Sequence, residues 1–440
     1  MAAAVTMPEM EAQAAFIPKD IMANIFKRLS VRSLTRLRCV CTHWKNLIND
    51  LIKTPSFIED HFNYSSCRNP LLLLEQYHRR FRGISLRVLD CDMRVQKVQK
   101  LPSTHSLYDF KVLGSSNGLV CVKIENGINP HPILIWNPVT RDIREVRPRT
   151  IVHSDLIAEV GLEFYRTHID PRELDDRYGF GFSPLDNDYK IVRINEYNHY
   201  DIKAVEVYSL NCGSWKHIDV GDDLDGISTL YRYITINGVM FWQVMWCEDE
   251  YLILPIDLSK GEVRKLIPMP DIGGFRRTSL IEYENKLAVV ACVVEEDHVS
   301  ILTHLWVMEE NGRRYGWTKI YTSGLSPWGT LDPVTIWMNE IVLLPFHEIE
   351  NDGHETILYL LDLTANEFKR LPVRSHSSNF DPARKRRPPS WIKRDIDTEI
   401  FNYVESFVLS APLLPPSPVN GGHPGDLMPS LKLVDFFPQL

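Results

Sequence analysis

The sequence predicts a bundle of three short α-helices followed by an all-β body, a β-propeller of six blades. Three observations predict this fold class. Residues 17–52 carry apolar side chains at helical spacing, short apolar runs fill most of the remaining chain, and turn residues recur at a nearly constant interval from residue 69 onward. The 28 prolines and 22 glycines fit an all-β body with many turns.

The composition excludes several classes of protein. The chain has 440 residues, of which 24% are charged and 10% aromatic, as in a globular protein rather than a disordered or fibrous one. Asp and Glu outnumber Lys and Arg by 57 to 49, so the excess positive charge that drives non-specific nucleic-acid binding is missing. The N-terminus lacks a secretory pattern, and no apolar run reaches the roughly 18 residues of a membrane span. We therefore expect no nucleic-acid or membrane partner, and a location in the cytoplasm and nucleus.

Three helices are predicted within residues 15–56. Pro18 suits the first position of a helix, Ser30 offers a cap for the second helix, and Pro55 ends the third. The apolar positions of the three helices are Ile21, Met22, Ile25, Phe26 and Leu29; Leu34 and Leu37; and Val40, Trp44, Leu47, Ile48 and Leu51. So small a bundle cannot bury all of these side chains. Some must face either a partner protein or one end of the β body, and the spacing leaves both open.

The repeat in the β body has a period near 50 residues. It is marked by turns that precede an apolar strand and begin at Asn69, Asn117, Asn187, Asn237, Asn285 and Asn339. Successive marks lie about 48, 70, 50, 48 and 54 residues apart, and the long interval holds extra sequence between Pro148 and Tyr178. With about four strands in each period, the repeat predicts a kelch-like β-propeller.

The two ends of the chain are predicted to share one blade. The first unit is one strand short, and one strand, Tyr403–Leu409, is left over at the other end. Pairing the two closes the ring into six blades and leaves no sheet edge open. The weakest strand of the pattern is Tyr178–Phe182, which is short and rich in glycine. The predicted divisions are a disordered N-terminus over 1–14, the helical domain over 15–56, the propeller over 66–411 and a flexible tail over 412–440.

Residues 17–48 resemble an F-box. The resemblance rests on the motif Ile17-Pro18-x-Asp20-Ile21 … Ile25-Phe26-x-x-Leu29-x-Val31-x-Ser33-Leu34-x-x-Leu37-Arg38-Cys39-Val40-Cys41-x-x-Trp44-x-x-Leu47-Ile48. Ser30, where the family often has proline, and Thr42-His43 depart from the pattern without removing an apolar contact. The resemblance implies docking to a Skp-family adaptor and, through it, to the cullin and RING protein of a ubiquitin ligase. Such an interface would place a helix in an apolar groove.

The resemblance also assigns the residues of adaptor contact. They are Ile17, Pro18, Ile21, Ile25, Phe26, Leu29, Leu34, Val40, Trp44 and Leu47. Some of these side chains must instead hold the three helices together, and the sequence does not sort the two groups.

The β body is similar to the F-box-associated domain of plant F-box/kelch-type proteins. The similarity is carried by Leu113-Gly114-Ser115-Ser116-Asn117-Gly118-Leu119-Val120, by Trp136-Asn137-Pro138-Val139-Thr140-Arg141, by Tyr178-Gly179-Phe180-Gly181-Phe182-Ser183-Pro184, by Asp188-Tyr189-Lys190-Ile191-Val192-Arg193 and by Tyr403-Val404-Glu405-Ser406. The family implies a substrate receptor that does no bond chemistry itself. The alternatives are a propeller-based enzyme and a scaffold outside any ligase, each with a helical cap.

Two segments interrupt the repeat and are candidates for substrate docking. They cover residues 149–177, predicted to be partly helical, and residues 374–400. Loops on a rigid scaffold often carry binding specificity, although solvated loops without a role are the alternative. The second segment contains Arg384-Lys385-Arg386-Arg387, a candidate nuclear address.

No catalytic or metal-binding pattern stands out. None of the 8 cysteines forms a C-x-x-C pair, and His347-Glu348 lacks the second histidine of a metalloprotease helix. Gly179-x-Gly181 lacks the third glycine of a dinucleotide-binding loop. We therefore predict no catalytic residue, no metal and no cofactor.

Overall fold

A computed structural model describes most of the helical region and of the β body. The described residues are 17–78, 83–99, 109–125, 131–148, 174–197, 201–220, 224, 226–246, 250–273, 276–294, 301–311, 314–345, 355–374 and 398–408. The predicted disordered N-terminus, the predicted tail and the basic run 384–387 lie outside them. None of the helices in these ranges is long and apolar enough to cross a membrane.

The N-terminal region contains four helices within the described residues, one more than predicted. They are α1 (Lys19–Phe26), α2 (Val31–Leu37), α3 (Thr42–Leu51) and α4 (Pro55–Arg68). The Ser30 hydroxyl caps α2 by accepting from the Ser33 amide at 3.2 Å. Pro55 does follow the third helix, but it also occupies the first turn of α4, where its missing N–H is no loss. The helical region therefore runs to Arg68, past the predicted boundary at residue 56.

The strands of the first three units have the spacing that the sequence predicts. They are β1 (Leu71–His78), β2 (Gly83–Leu89) and β3 (Val95–Gln99), then β4 (Asp109–Ser116), β5 (Leu119–Glu125), β6 (Ile133–Trp136) and β7 (Ile143–Val146), then β8 (Leu174–Ser183), β9 (Asp188–Tyr197), β10 (Asp201–Ser209) and β11 (Ser214–Ile218). The strand expected at Tyr178–Phe182 is longer than predicted. It begins at Leu174, so the last four residues of the segment 149–177 are strand and not helix.

The remaining units complete the β body. Their strands are β12 (Ile227–Ile236), β13 (Val239–Trp246), β14 (Glu250–Asp257), β15 (Glu262–Val263) and β16 (Ile267–Pro268), then β17 (Arg276–Tyr283), β18 (Lys286–Val294), β19 (Ile301–Asn311) and β20 (Arg314–Thr322), then β21 (Leu331–Trp337), β22 (Glu340–Pro345), β23 (Glu355–Asp362), β24 (Glu367–Arg374) and finally β25 (Thr398–Tyr403). Arg374 and residues 398–400 are therefore strand. The rest of the segment 374–400 lies outside the described residues.

These strands form six sheets in the described part of the chain, and the sheets are arranged as the blades of a closed propeller. β25 pairs antiparallel with β1, with Leu73 opposite Phe401, so the C-terminal strand completes the first blade as predicted. The inner strands β25, β4, β8, β12, β17 and β21 contact one another in sequence around the ring. One detail of the prediction is wrong, because the closing strand ends at Tyr403 and residues 404–408 are not strand.

The two ends of the propeller differ in their connections. The turns that follow the inner strands place Asn117, Asn187, Asn237, Asn285 and Asn339 at positive φ, between 48° and 65°. Asparagine tolerates this left-handed backbone, which explains the repeated mark in the sequence. We call the end that holds these turns the turn face. The opposite end, where the inner strands begin, is the crossover face.

Two neighbouring residues of β12 bind the blades together at the centre. Between Thr229 and Tyr233 the strand has two more residues than its partner β13, and such a bulge re-aims side chains. The Tyr233 hydroxyl accepts from the Phe180 amide at 2.8 Å and donates to the Leu113 carbonyl, which links three blades. The Arg232 guanidinium donates to the carbonyls of Thr278 in β17 and Pro333 in β21, which belong to the next two blades around the ring.

Replacing Tyr233 by phenylalanine is expected to lower the free energy of unfolding by about 1–3 kcal/mol. The change leaves the Phe180 amide and the Leu113 carbonyl without their partner in the interior. Urea denaturation of the two proteins measures the difference. Tyr321→Phe is the matched control, because its hydroxyl donates to Asn366 at an exposed position and should contribute no more than about 1 kcal/mol. Equal losses in the two variants would contradict the central role of Tyr233.

Candidate functional site

The helical domain has a small apolar core of its own. The core contains Met22, Phe26, Val31, Leu34, Leu47, Ile48 and Phe57, together with Phe407 from the far end of the chain. Trp44 packs edge-on against Phe26, with ring centroids 5.7 Å apart, and remains half-buried. Phe26 and Leu34 are almost completely buried, at 2% and 0% exposure. The buried side chains of this core fix the arrangement of the helices and are not available to a partner.

A second set of apolar side chains in the same helices faces solvent. Ile17, Ile21 and Ile25 are 45%, 52% and 45% exposed, and Val40, between α2 and α3, is 63% exposed. Pro18 is exposed as well. We call these five residues the exposed apolar set. Ile21 and Ile25 stand one helical position before the buried Met22 and Phe26, so the two pairs lie on adjacent strips of α1.

The structure thus sorts the ten side chains predicted to contact an adaptor. Phe26, Leu34 and Leu47 are buried in the helical core, and Leu29 and Trp44 are half-buried. The exposed apolar set makes up the other five. Contact with an adaptor stays a prediction for all of them, and a direct role is open only to side chains that a partner can reach.

Residues 404–408 join the helical domain to the turn face of the propeller. Phe407 is 6% exposed and its ring lies 5.2 Å from that of His61, in the core of the helical domain. The Asn137 side-chain amide donates to the carbonyls of Ser406 and Val408 at 3.0 and 2.8 Å. The Ser406 hydroxyl in turn donates to the Asn117 carbonyl at 2.6 Å. The helices are therefore seated at one end of the propeller, beside the blade formed by β4–β7.

Burial shifts the pKa values of two titratable groups at this junction, His61 and Glu405. His61 Nε2 lies 2.8 Å from the Leu29 carbonyl, and burial lowers the pKa of His61 although this contact raises it. Burial also raises the pKa of Glu405, against the opposing effect of Lys97 and Arg32. Arg32 belongs to α2 and Lys97 to β3, so this charge cluster spans the junction.

Comparison with known protein families gives two matches. A family described as "F-box associated beta propeller domain" matches residues 75–390, most of the chain. A family described as "F-box domain" matches residues 17–55. The chain belongs to the F-box associated beta propeller family.

Several curated proteins of Arabidopsis thaliana are similar to this F-box protein. F-box/kelch-repeat protein At3g23880 is 25% identical over 342 residues, which cover 75% of this chain and 85% of the relative. F-box protein CPR1 is 26% identical, over 70% of this chain and 73% of the relative. F-box protein At3g07870 is 25% identical, over 87% and 93%. The F-box and the propeller together support a substrate-receptor role in general, and an F-box implies binding of a Skp-family adaptor in general.

The F-box match ends where the structure continues with a further helix. It covers α1–α3 and stops at Pro55, the first residue of α4. The side of α4 that packs inward carries Phe57, His61 and Ser65, four residues apart. Two of these three residues are polar, so apolar periodicity in the sequence does not indicate this helix.

The candidate docking segments connect blades of the propeller at the crossover face. The segment 149–177 leads from β7 to the start of β8, and the segment 374–400 leads from β24 to the start of β25. The F-box helices pack at the turn face, through Phe407 and Val139. Both segments therefore leave and rejoin the described strands at the end of the propeller opposite the F-box.

The described residues also contain a cleft between two blades. It has a volume of about 380 Å³ and lies between the end of β7 and the β10–β11 turn, with Tyr208 and Trp215 in its wall. Within the ranges that the structure covers, no three His, Cys, Asp or Glu side chains come together in a way that could hold a metal ion.

Proposed function

We propose that this chain is the substrate-recognition subunit of a Skp–cullin–F-box ubiquitin ligase. In this proposal the F-box binds a Skp-family adaptor, the propeller binds a protein substrate, and cullin and RING protein join through the adaptor. The chain itself performs no bond chemistry. It raises the effective concentration of a substrate lysine near the ubiquitin-charged enzyme. The proposed place of action is the cytoplasm and nucleus.

The observation that carries the proposal is the exposed apolar set of the F-box. Four large aliphatic side chains, three of them in or just before α1 and one between α2 and α3, are at least 45% exposed although a core is available beside them. Exposed apolar groups of this kind on one small domain mark an interaction site. Since full burial of an isoleucine contributes about 1.5–3 kcal/mol, covering what remains exposed on three isoleucines would provide several kcal/mol of binding energy.

The half-buried and buried members of the predicted contact set have a different role in this proposal. Trp44 and Leu29 support the surface from beneath, and Phe26, Leu34 and Leu47 hold the helices in the geometry that presents it. Affinity in such interfaces is concentrated in a few central side chains, while the neighbours exclude water. Substrate capture through the segments 149–177 and 374–400 stays a prediction.

Reconstitution from purified components tests the proposal. The full chain is mixed with a Skp-family adaptor and a cullin–RING complex, and the assembly is followed by size-exclusion chromatography. We expect a stable assembly of all components. Adaptor binding without recruitment of cullin would indicate a scaffold outside the ligase. No adaptor binding by a well-folded chain would mean that the helices only cap the propeller, and the ligase proposal would be wrong.

A further inference from the structure

The cleft between the blades β4–β7 and β8–β11 has an aromatic wall and polar edges. Tyr208 and Trp215 stand side by side in the wall, with ring centroids 5.3 Å apart and ring planes tilted by 51°. Ser214 and Arg147 are exposed residues at the edges. The volume of about 380 Å³ falls within the range of about 300–1,000 Å³ that is typical of ligand sites. The cleft is therefore large enough to hold part of a peptide.

Contacts between the two blades hold the sides of the cleft in place. Arg144 of β7 donates to the Leu210 carbonyl at 2.7 Å and to the Tyr208 hydroxyl at 3.1 Å. Asp188 fixes the β10–β11 turn by accepting from the Asn211 amide at 2.9 Å. The site is therefore formed before a ligand binds, and such preorganisation lowers the cost of binding.

The cleft offers hydrogen-bond donors that have no acceptor among the described residues. Within these residues the Tyr208 hydroxyl accepts from Arg144 and donates to no group, and the Ser214 hydroxyl makes no hydrogen bond. Arg147 is 81% exposed and uses only Nε, in its pair with Glu145 at 2.7 Å. A ligand rich in carbonyl acceptors and poor in N–H donors suits such a site.

A proline-rich segment of this kind follows Val408, the last residue of the described ranges. It reads Pro412-Leu413-Leu414-Pro415-Pro416-Ser417-Pro418, with proline at every third position. A polyproline II helix has three residues per turn, so the prolines 412, 415 and 418 would share one edge. Proline has no N–H, and the carbonyls of this helix make no internal hydrogen bonds. Grooves lined by aromatic side chains are the sites that bind such helices.

Val408 is held close to the cleft. It packs against the apolar cluster that includes Tyr208, and Trp215 lies at the margin of the same cluster. The Asn137 side-chain amide donates to the Val408 carbonyl at 2.8 Å, and Asn137 begins the turn that leads into β7. The four residues of β7 extend about 13 Å to the cleft. Pro412 follows Val408 by four positions, which span up to about 14 Å, so the segment can reach the cleft.

We propose that residues 412–418 bind in this cleft of their own chain as a polyproline II helix. The prolines pack on the rings of Tyr208 and Trp215, and the carbonyls of the segment accept from Arg147 and Ser214. Because the segment is tethered at Val408, its effective concentration is high, and a weak intrinsic affinity suffices to fill the cleft. The contact closes the cleft to proline-rich segments of other proteins until they displace it. It does not depend on the ligase proposal.

Fluorescence polarisation of a labelled peptide with the sequence of residues 410–420 tests the proposal. The peptide is mixed with two full-length proteins, the wild type and a tail variant that carries Pro412→Ala, Pro415→Ala and Pro418→Ala. We expect the tail variant to bind the peptide. The wild type should bind it about tenfold more weakly, because its own segment competes from a tethered position. A peptide with the same three prolines replaced by alanine should bind neither protein.

Three further substitutions, each made in the tail variant, locate the site. Ser214→Arg fills the cleft from its exposed edge and Trp215→Ala removes one ring, and each should lower peptide affinity at least about tenfold. Trp317→Ala is the matched control, because Trp317 is a half-buried tryptophan of another outer strand, β20, and it should leave the affinity unchanged. Thermal unfolding checks that each variant is folded. Because Ser214 is exposed, Ser214→Arg serves as the test if Trp215→Ala is unstable.

Four results would overturn the proposal. No peptide binding by the tail variant, or an affinity that Ser214→Arg leaves unchanged, would show that the cleft is not the site. Equal affinity of wild type and tail variant would mean that the cleft is open to a proline-rich segment of another protein. Dimers of the wild type that are absent from the tail variant, seen by size-exclusion chromatography, would place the segment in a second copy. Adaptor binding should be equal in all variants, so failure here is distinct from failure of the ligase proposal.

Discussion

Replacing Ile21 by aspartate is expected to lower the affinity of the chain for a Skp-family adaptor at least about a hundredfold. Ile21 is 52% exposed, so the carboxylate stays in water in the free chain and the helical core is left intact. In the complex the same carboxylate would be buried in an apolar groove, and an unpaired buried charge is costly. Surface plasmon resonance with immobilised adaptor measures the loss, and thermal unfolding should show no change in stability.

Two further variants make the Ile21→Asp result specific. Leu185→Asp places the same charge on an aliphatic side chain that is 84% exposed in a turn of the propeller, and it should bind the adaptor like wild type. Trp44→Ala should weaken both binding and stability, because the ring is half-buried against Phe26. Wild-type affinity in a folded Ile21→Asp chain would show that the exposed apolar set is not the adaptor surface.

Replacing Phe407 by alanine is expected to destabilise the F-box domain by about 3 kcal/mol and to loosen it from the propeller. The ring packs in the helical core beside His61 and is 6% exposed, and truncation of buried phenylalanine to alanine typically costs 3–5 kcal/mol. Hydrogen exchange measures the effect locally. The amides of α1–α4 should exchange faster in the variant, while those of the inner strands keep their protection.

Phe182→Ala is the matched control for Phe407→Ala. Phe182 packs in a propeller cluster with Tyr189, at a ring distance of 4.9 Å, and has no part in the helical core. Its loss should speed exchange in β8 and β9 and leave the helices unchanged. Unaltered protection of α1–α4 in Phe407→Ala would mean that the helical domain keeps its core without the Phe407 ring.

The repeat and the helical spacing predicted the architecture because both are local signals. Each positive-φ asparagine marks a turn, and five such turns at a nearly constant interval indicate a series of similar units. Ring closure followed from one missing and one surplus strand. The closing strand is predicted at Tyr403–Leu409 but lies at Thr398–Tyr403, because the alternation of apolar residues continues past the end of the strand. Beyond that end, Phe407 faces the helices rather than a neighbouring blade.

Other features depend on contacts between distant parts of the chain and could not be predicted. In α4 the inward-facing residues include His61 and Ser65, so the helix lacks an apolar stripe. The division of α1 into a buried and an exposed strip depends on where α3 and Phe407 pack. The ion pair between Lys111 and Glu399 joins two residues that lie almost three hundred positions apart in the chain. No spacing rule in one sequence joins residues so far apart.

The position of β25 and Phe407 has a consequence for biosynthesis. The F-box helices leave the ribosome well before Phe407 is made, yet their core needs the Phe407 side chain. The strand that completes the first blade ends only four residues before that side chain. A chain that stops short of residue 398 therefore has an unpaired edge at β1 and an incomplete N-terminal core at the same time. Quality-control proteases would encounter both defects together, so the F-box core is complete only in a chain that extends through Phe407.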